Sequence, residues 1–305
     1  MPTADAPTPH RSALTLALGD IKLAHTVFAM PFAVLGMALA FEPNTPTPRI
    51  AIVTLLVLAC MVFARTWAML VNRLADARFD AANPRTANRA VASGVLDPRR
   101  GWRIALGAAS LFCATATLFW PLLGNPWPAA LCVPVLGFIA LYSYTKRFSA
   151  LCHAFLGAAL AISPLAAALA VRPDTLADTP ELWWIAGFVL VWVAGFDIIY
   201  ALQDLDFDRA TKLHSIPAAL GWRGAVWISR TLHAAAAAAL IAAALTSDRM
   251  GHAFAAGVAA VLVLLAAEHT LLARRGPAGI PMAFFTYNGL ASLALGFTGL
   301  LDLLI

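Results

Sequence analysis

The sequence predicts an all-α membrane protein with nine transmembrane helices. Of its 305 residues, 61% are hydrophobic and only 12% are charged, whereas soluble domains are about half apolar and about one quarter charged. The mean hydropathy is +0.78. The apolar residues form stretches of about 20, the length that crosses a bilayer as a helix. Stretches such as 50–60 and 254–267 are apolar on every side, which argues against the alternating strands of a membrane β-barrel.

Proline, glycine and charged residues separate the predicted spans. Most connections are short, but the polar loops 73–101 and 205–223 are long. We expect one transmembrane domain over residues 21–305, preceded by a disordered N-terminal tail at 1–20. The predicted spans are 21–41, 49–72, 102–122, 127–145, 149–171, 182–204, 224–246, 252–273 and 281–303.

The positive residues indicate how the chain is oriented in the membrane. Sixteen of the 21 Lys and Arg residues fall on the side of the N-terminus. Three fall on the opposite side, namely Arg49, Arg172 and Arg249, and two lie within spans. Because positive residues accumulate in cytoplasmic loops, this distribution predicts that the N-terminus and both long loops are cytoplasmic. With nine spans, the C-terminus is then outside.

Two acidic motifs stand at the cytoplasmic ends of the second and sixth spans, each with a polar residue followed by Asp four and eight residues later. The members are Asn72, Asp76 and Asp80 in the first motif and Tyr200, Asp204 and Asp208 in the second. Residues four apart share a helix face. Carboxylates stacked on one face repel unless a cation neutralises them, and oxygen ligands suit Mg²⁺. Two such faces across a cavity predict a site for Mg²⁺ and a diphosphate.

One such motif alone is common at a solvated helix end. Two copies on the same side of two different spans favour the metal site over that interpretation. Asp206 in the second motif lies about 200° from Asp204 around a helix, so we interpret Asp206 as a solvated or Arg-paired loop residue.

The motifs and the segments that follow them resemble the UbiA superfamily of intramembrane prenyltransferases. Three further segments carry the resemblance: NPRTANR at 83–89, YTKRF at 144–148 and LHSIP at 213–217. Many family members have an Asp where this chain has Arg73, so this chain lacks one candidate metal ligand. The resemblance implies nine helices around a central cavity, a Mg²⁺-bound prenyl diphosphate, and two cytoplasmic cap loops, here 73–101 and 205–223.

Two ionisable residues are predicted deeper in the membrane. Asp197 precedes Asp204 by seven residues, and Arg65 precedes Asn72 by seven, which places each on the motif face about 10 Å deeper. Asp197 is either paired structurally or placed near the reacting acceptor. Arg65 either pairs with Asp197 or binds a carboxylate of the substrate.

Basic residues near the motifs are candidates for binding diphosphate oxygens. They are Lys146 and Arg147 after the fourth span, Arg85 and Arg89 in the first cap loop, and Lys22 in the first span. The excess of positive residues on the cytoplasmic side is enough to explain the presence of Lys146 and Arg147. Lys22 is also typical of a lysine whose charged end extends to the membrane surface. The predicted catalytic residues are Asp76, Asp80, Asp204, Asp208 and Asp197. The predicted substrate-binding residues are Asn72, Arg65, Lys146, Arg147, Tyr200, Arg85 and Lys22. The predicted metal ligands are Asn72, Asp76, Asp80, Asp204 and Asp208.

The resemblance implies a Mg²⁺-dependent enzyme of quinone biosynthesis in the bacterial inner membrane. It would move a polyprenyl group from polyprenyl diphosphate to a ring carbon of a 4-hydroxybenzoate-like or dihydroxynaphthoate-like acceptor. The expected partners are these substrates and the bilayer, with no nucleic acid and no obligate protein partner. The alternative is a transporter or channel with an ion path of Asp and Arg. An inverted repeat would place the motifs on opposite sides, whereas both are predicted on one side.

Overall fold

The computed structural model describes residues 13–20 and 28–304. Within these ranges there are helices and no strands, which confirms the all-α prediction. The helices are α1 Ala13–Asp20, α2 Met30–Ala40, α3 Thr47–Ala75, α4 Ala77–Ala82, α5 Pro98–Leu123, α6 Trp127–Thr145, α7 Cys152–Val171, α8 Thr175–Asp178, α9 Pro180–Ala201, α10 Leu205–Ala210, α11 Ile216–Thr246, α12 His252–Arg275 and α13 Asn288–Leu304.

Eight helices of the described residues are long and apolar enough to cross a membrane. They correspond to the second to ninth predicted spans. The first predicted span is represented by α2, an apolar helix of 11 residues, while residues 21–27 lie outside the described part. The helix count therefore agrees approximately with the nine predicted.

Local sequence explains where the helices begin and end. The side chain of Asp97 accepts hydrogen bonds from the backbone N–H groups of Arg99 (2.9 Å) and Arg100 (3.1 Å) at the start of α5, as a helix N-cap does. The same helix ends at Gly124, whose φ of +74° is the left-handed conformation that glycine adopts easily at a helix C-terminus. The glycine cap allows a short turn into α6, which begins at Trp127.

Both motif helices are interrupted at an aspartate, where we expected a continuous helix. Asp76 separates α3 from α4, and a short 3₁₀ turn that ends at Asp204 separates α9 from α10. The backbone N–H of Asp76 still donates to the carbonyl of Asn72 at 3.0 Å, and that of Asp80 to the carbonyl of Asp76 at 2.8 Å. Because the four-residue hydrogen-bond pattern survives the break, the first motif keeps its helix-like spacing.

Helix α9 is the centre of the bundle. Over an apolar stretch of 18 residues in its span, 72% of the residues are buried, compared with 17–39% for the other spans. Fully buried Trp192 stacks on Phe188 at 5.3 Å between ring centroids. The second acidic motif begins at Tyr200 in the last turn of α9 and continues through the 3₁₀ turn into α10, so it directly follows the most buried helix of the bundle.

Close packing of α7 against α9 depends on Gly157. A Cβ atom at this position would lie 2.1 Å from the carbonyl oxygen of Leu190, so only glycine allows the two backbones to approach as they do. One turn before Gly157, α7 carries His153, which this contact brings against α9.

Two expectations are corrected. Residues 13–20 of the tail are helical rather than disordered, because Ala17 is fully buried in an apolar cluster with Leu70 and Leu96. The second cap loop is shorter than 205–223, since α10 begins at Leu205 and α11 already begins at Ile216. Ser215 caps α11 by accepting a hydrogen bond from the backbone N–H of Ala218. This serine lies within the predicted loop 205–223 and marks the start of the helix.

Candidate active site

A cavity of about 650 Å³ lies among α3, α5, α6, α7 and α9, with the acidic motifs at one end. Ten of the predicted site residues line it: Arg65, Asn72, Asp76, Asp80, Arg85, Lys146, Asp197, Tyr200, Asp204 and Asp208. Arg147 contacts Asp76 beside the cavity. Lys22 lies outside the described residues. The structure thus gathers residues from distant parts of the chain around one space.

The carboxylates of the first motif face arginines. Nη1 of Arg89 lies 2.6 and 2.8 Å from the two carboxylate oxygens of Asp80. Asp76 is held more loosely, by Nδ2 of Asn72 at 3.2 Å and Arg147 at 3.7 Å. Burial, together with repulsion from Asp80, raises the pKa of Asp76 to about 6. Negative charge around Asp76 is therefore only partly compensated.

The first cap loop closes onto the second motif through Arg85. Its Nε donates to Oδ1 of Asp204 at 2.9 Å, and its Nη2 contacts Oδ2 of the same residue. Nη1 of Arg85 also donates to the hydroxyl of Tyr200 at 3.0 Å. The Asn83 amide adds a hydrogen bond to Asp204 at 2.8 Å. A bidentate arginine contact of this kind fixes the orientation of the Asp204 carboxylate and also compensates its charge.

Asp208 is compensated from the end of α6 and from the start of α11. Its side chain is fully buried, with Nζ of Lys146 2.8 Å from Oδ1 and the Ser215 hydroxyl donating to Oδ2 at 2.9 Å. Burial alone lowers the pKa of Lys146, but the Asp208 and Asp204 carboxylates raise it above its ordinary value. Lys146 therefore remains positively charged at neutral pH.

Deeper in the cavity, Asp197 has a partner that the sequence did not indicate. Oδ2 of Asp197 lies 2.7 Å from Nδ1 of His153, and Nε2 of His153 accepts a weak hydrogen bond from the Ile216 backbone at 3.4 Å. This pattern assigns the proton to Nδ1, which donates to Asp197. No local spacing singles out His153, because the contact joins α7 to α9. Asn83 and Ser215, by contrast, stand in the segments that carried the family resemblance.

Beyond the polar end, the cavity is apolar and crosses most of the bundle. It reaches Phe119 and Leu169, near the C-terminal ends of α5 and α7, and Leu176 in α8. Phe196 and Phe284 also line the cavity, and their ring centroids lie 5.3 Å apart. The arrangement suits an amphiphile with an anionic head and a long hydrocarbon tail.

The oxygen donors of the two motifs have the chemistry of a magnesium site. Carboxylates from both motifs and the Asn72 amide line the same cavity, and the basic partner of Asp76, Arg147, lies 3.7 Å away. Among residues 13–20 and 28–304, no three acidic, His or Cys side chains converge closely enough to hold a metal ion. The reason is that each motif carboxylate is turned toward its own basic side chain. The residues fit Mg²⁺ once the carboxylates leave their basic side chains and bind the ion instead.

A model of the UbiA prenyltransferase family matches residues 29–290. The chain belongs to this family. It is therefore an enzyme, a membrane prenyltransferase, and the resemblance seen in the motifs is confirmed. Among relatives, the 4-hydroxybenzoate octaprenyltransferase of Nitrosomonas eutropha is 30% identical over 271 residues, 88% of this chain and 89% of the relative. The protein of the same name from Nitrosomonas europaea is 32% identical over 61% of this chain and 60% of the relative.

Solved structures show the same fold. An apo UbiA homologue from Aeropyrum pernix K1 superposes with a TM-score of 0.81 at 30% identity, covering 92% of this chain and 98% of that one. A UbiA homologue from Archaeoglobus fulgidus bound to GPP and Mg²⁺ has a TM-score of 0.67 at 19% identity, covering 95% and 100%. The UbiA-like helical fold predicted from the motifs is confirmed.

Replacing Lys146 by Met tests the buried ion pair with Asp208. The substitution leaves a fully buried carboxylate without its cation, so we expect the free energy of unfolding to fall by about 3 kcal/mol. Thermal unfolding in detergent measures the loss. The double variant Lys146→Met, Asp208→Asn removes both charges and should recover most of it. A double variant that melts as low as the single one would contradict the pairing.

Proposed function

We propose that this enzyme transfers a polyprenyl group from polyprenyl diphosphate to a ring carbon of a hydroxylated aromatic carboxylate in quinone biosynthesis. The observation that carries the proposal is one cavity that joins two acidic motifs and their basic partners to a long apolar channel. The acceptor is 4-hydroxybenzoate-like or dihydroxynaphthoate-like. The names of the Nitrosomonas relatives support the first of these.

The diphosphate of the donor is bound at the polar end. Its oxygens accept hydrogen bonds from the basic residues that now face the motif carboxylates, namely Lys146, Arg85, Arg89 and Arg147. The carboxylates and the Asn72 amide become free to hold Mg²⁺ in exchange. When bound, Mg²⁺ neutralises charge on the diphosphate and so makes it a better leaving group. The A. fulgidus homologue bound to GPP and Mg²⁺ supports this combination of ligands.

The deeper residues act on the reacting carbon and the acceptor. Departure of the diphosphate leaves a delocalised allylic cation, which the apolar walls, including Phe196 and Phe284, shield from water. The electron-rich ring attacks this cation to form the new C–C bond, and the positive charge passes to the ring. The carboxylate of Asp197, oriented by His153, stabilises that charge from about 10 Å below the second motif. The attacked ring carbon then loses its proton to the released diphosphate, which restores the aromatic ring. Arg65 binds the carboxylate of the acceptor.

The transporter alternative does not fit the position of the motifs. Arg85 of the first cap loop contacts Asp204 of the second motif, so both motifs stand at the same end of one cavity. An inverted repeat would separate them across the membrane. We place this end on the cytoplasmic side of a bacterial inner membrane, with the C-terminus outside, on the distribution of Lys and Arg.

Asp76→Asn and Asp204→Asn test the metal and diphosphate site. Each variant keeps the size of the side chain and removes a negative charge, so prenyl transfer should fall at least about 100-fold, or about 2.7 kcal/mol of barrier. Product is identified by mass after incubation with Mg²⁺, a polyprenyl diphosphate and each candidate acceptor. Asp206→Asn is the matched control, because Asp206 is exposed and should leave turnover unchanged. Near-normal turnover in both motif variants would refute the assignment.

Arg65→Met tests acceptor recognition. A buried hydrogen bond from Arg to a carboxylate contributes about 1.5–3 kcal/mol, so the dissociation constant of the acceptor should rise about 10- to 100-fold while that of the prenyl diphosphate changes little. Both constants and the melting temperature are measured in the same variant. Unchanged acceptor affinity with a sharply lower melting temperature would show instead that Arg65 has a structural role.

Cysteine labelling tests the orientation. Ala87→Cys and Ala210→Cys, one in each cap-loop region, should react with an impermeant thiol reagent only from the cytoplasmic face. The background for this experiment lacks the native cysteines Cys60, Cys113, Cys132 and Cys152. Labelling of the two positions from opposite faces would overturn both the orientation and the shared site.

A further inference from the structure

A second cavity, of about 280 Å³, opens between α11 and α12. It is lined mainly by Trp222, Arg223, Trp227 and Arg230 of α11 and by Leu272 of α12, and we call it the arginine groove. None of these residues lines the active-site cavity. Trp227 is 65% exposed, so the groove opens on the outer surface of the bundle.

The groove places two positive charges at different depths along one helix face. Arg223 and Arg230 are seven residues apart, two turns of α11, which puts Arg230 about 10 Å further into the span. The guanidinium of Arg230 lies 5.3 Å from the ring centroid of Trp227. Neither arginine makes a hydrogen bond or an ion pair with any residue of the described ranges. A charge at that depth is costly without an anion.

The nearest acidic side chain on α12 does not supply that anion. Glu268, one turn before Leu272, is fully buried and turned into the bundle. Its Oε1 accepts a hydrogen bond from Asn288 at 3.2 Å, and its Oε2 lies 3.7 Å from Nδ1 of His233. The carboxylate thus faces neighbours on α11 and α13 inside the bundle and not the groove. Arg223 is exposed and Arg230 is half-buried, and both line the groove.

We propose that the arginine groove binds the phosphate group of an anionic phospholipid, with Arg223 and Arg230 as its donors. Basic pockets between transmembrane helices bind such headgroups, and Trp side chains are typical of that level of the bilayer. The groove lies at the active-site end of the bundle, because Ser215, the N-cap of α11, contacts Asp208. Exposed apolar residues beside it, Trp227 and Ile228, favour a ligand that remains in lipid over a soluble phosphate.

Native mass spectrometry of the full-length protein tests the proposal. The protein in detergent is titrated with phosphatidylglycerol and, separately, with phosphatidylcholine of the same acyl chains. The double variant Arg223→Gln, Arg230→Gln should bind phosphatidylglycerol about 30-fold more weakly, since each basic residue near an anionic lipid surface contributes about 1 kcal/mol. Arg103→Gln is the matched control: Arg103 is exposed beside Trp102 near the start of α5 and lines neither cavity.

Further arms separate the lipid from other ligands and from a folding defect. Arg230→Lys keeps the charge and should keep most of the affinity, while the single variant Arg223→Gln changes only an exposed side chain and should lose part of it. Inorganic phosphate should not displace the lipid, and phosphatidylcholine should bind no more tightly to the wild type than to the double variant. Equal phosphatidylglycerol affinity in wild type and double variant, tight binding of phosphatidylcholine, or displacement by inorganic phosphate would each overturn the proposal.

Discussion

Four aspartates are enclosed at one end of this helical bundle because four basic side chains from other segments face them. Asp208 is fully buried and Asp80 and Asp204 nearly so, and an uncompensated carboxylate in such a place costs several kcal/mol. Arg85 and Arg89 come from the first cap loop, and two further cations come from the end of α6. The folding of the cap loop over the cavity follows from this need for charge compensation.

The same pairs explain why the site is suited to a diphosphate and a metal. Basic donors and oxygen ligands already stand against one another in a cavity with apolar walls, where electrostatic interactions are stronger than in water. A diphosphate with its Mg²⁺ carries both negative and positive charge. It can therefore replace each ion pair within the protein, with the diphosphate binding the basic side chain and Mg²⁺ binding the carboxylate. Asp76, which is held most loosely and has a raised pKa, is the member whose charge is least compensated without a ligand.

Helix packing determines what lies below and beside this polar end. The glycine contact at Gly157 brings α7 against α9 and with it His153 against Asp197. Helix α11 has two roles, since its N-cap Ser215 supports the active site and its outer face carries the arginine groove two turns further on. One helix thus supports the active site at its N-terminus and carries a separate basic groove on its outer face.

The sequence by itself determined the helical membrane architecture, the family and most of the predicted residues that line the candidate site. Span length and a four-residue spacing are local properties, so hydropathy and the motifs around Asp76 and Asp204 were sufficient. The tertiary structure decided the partners. Arg85 is 119 residues from Asp204 and His153 is 44 from Asp197, and such pairs depend on how helices and loops pack. The arginine groove likewise exists only because α11 and α12 lie side by side, which no local pattern of residues encodes.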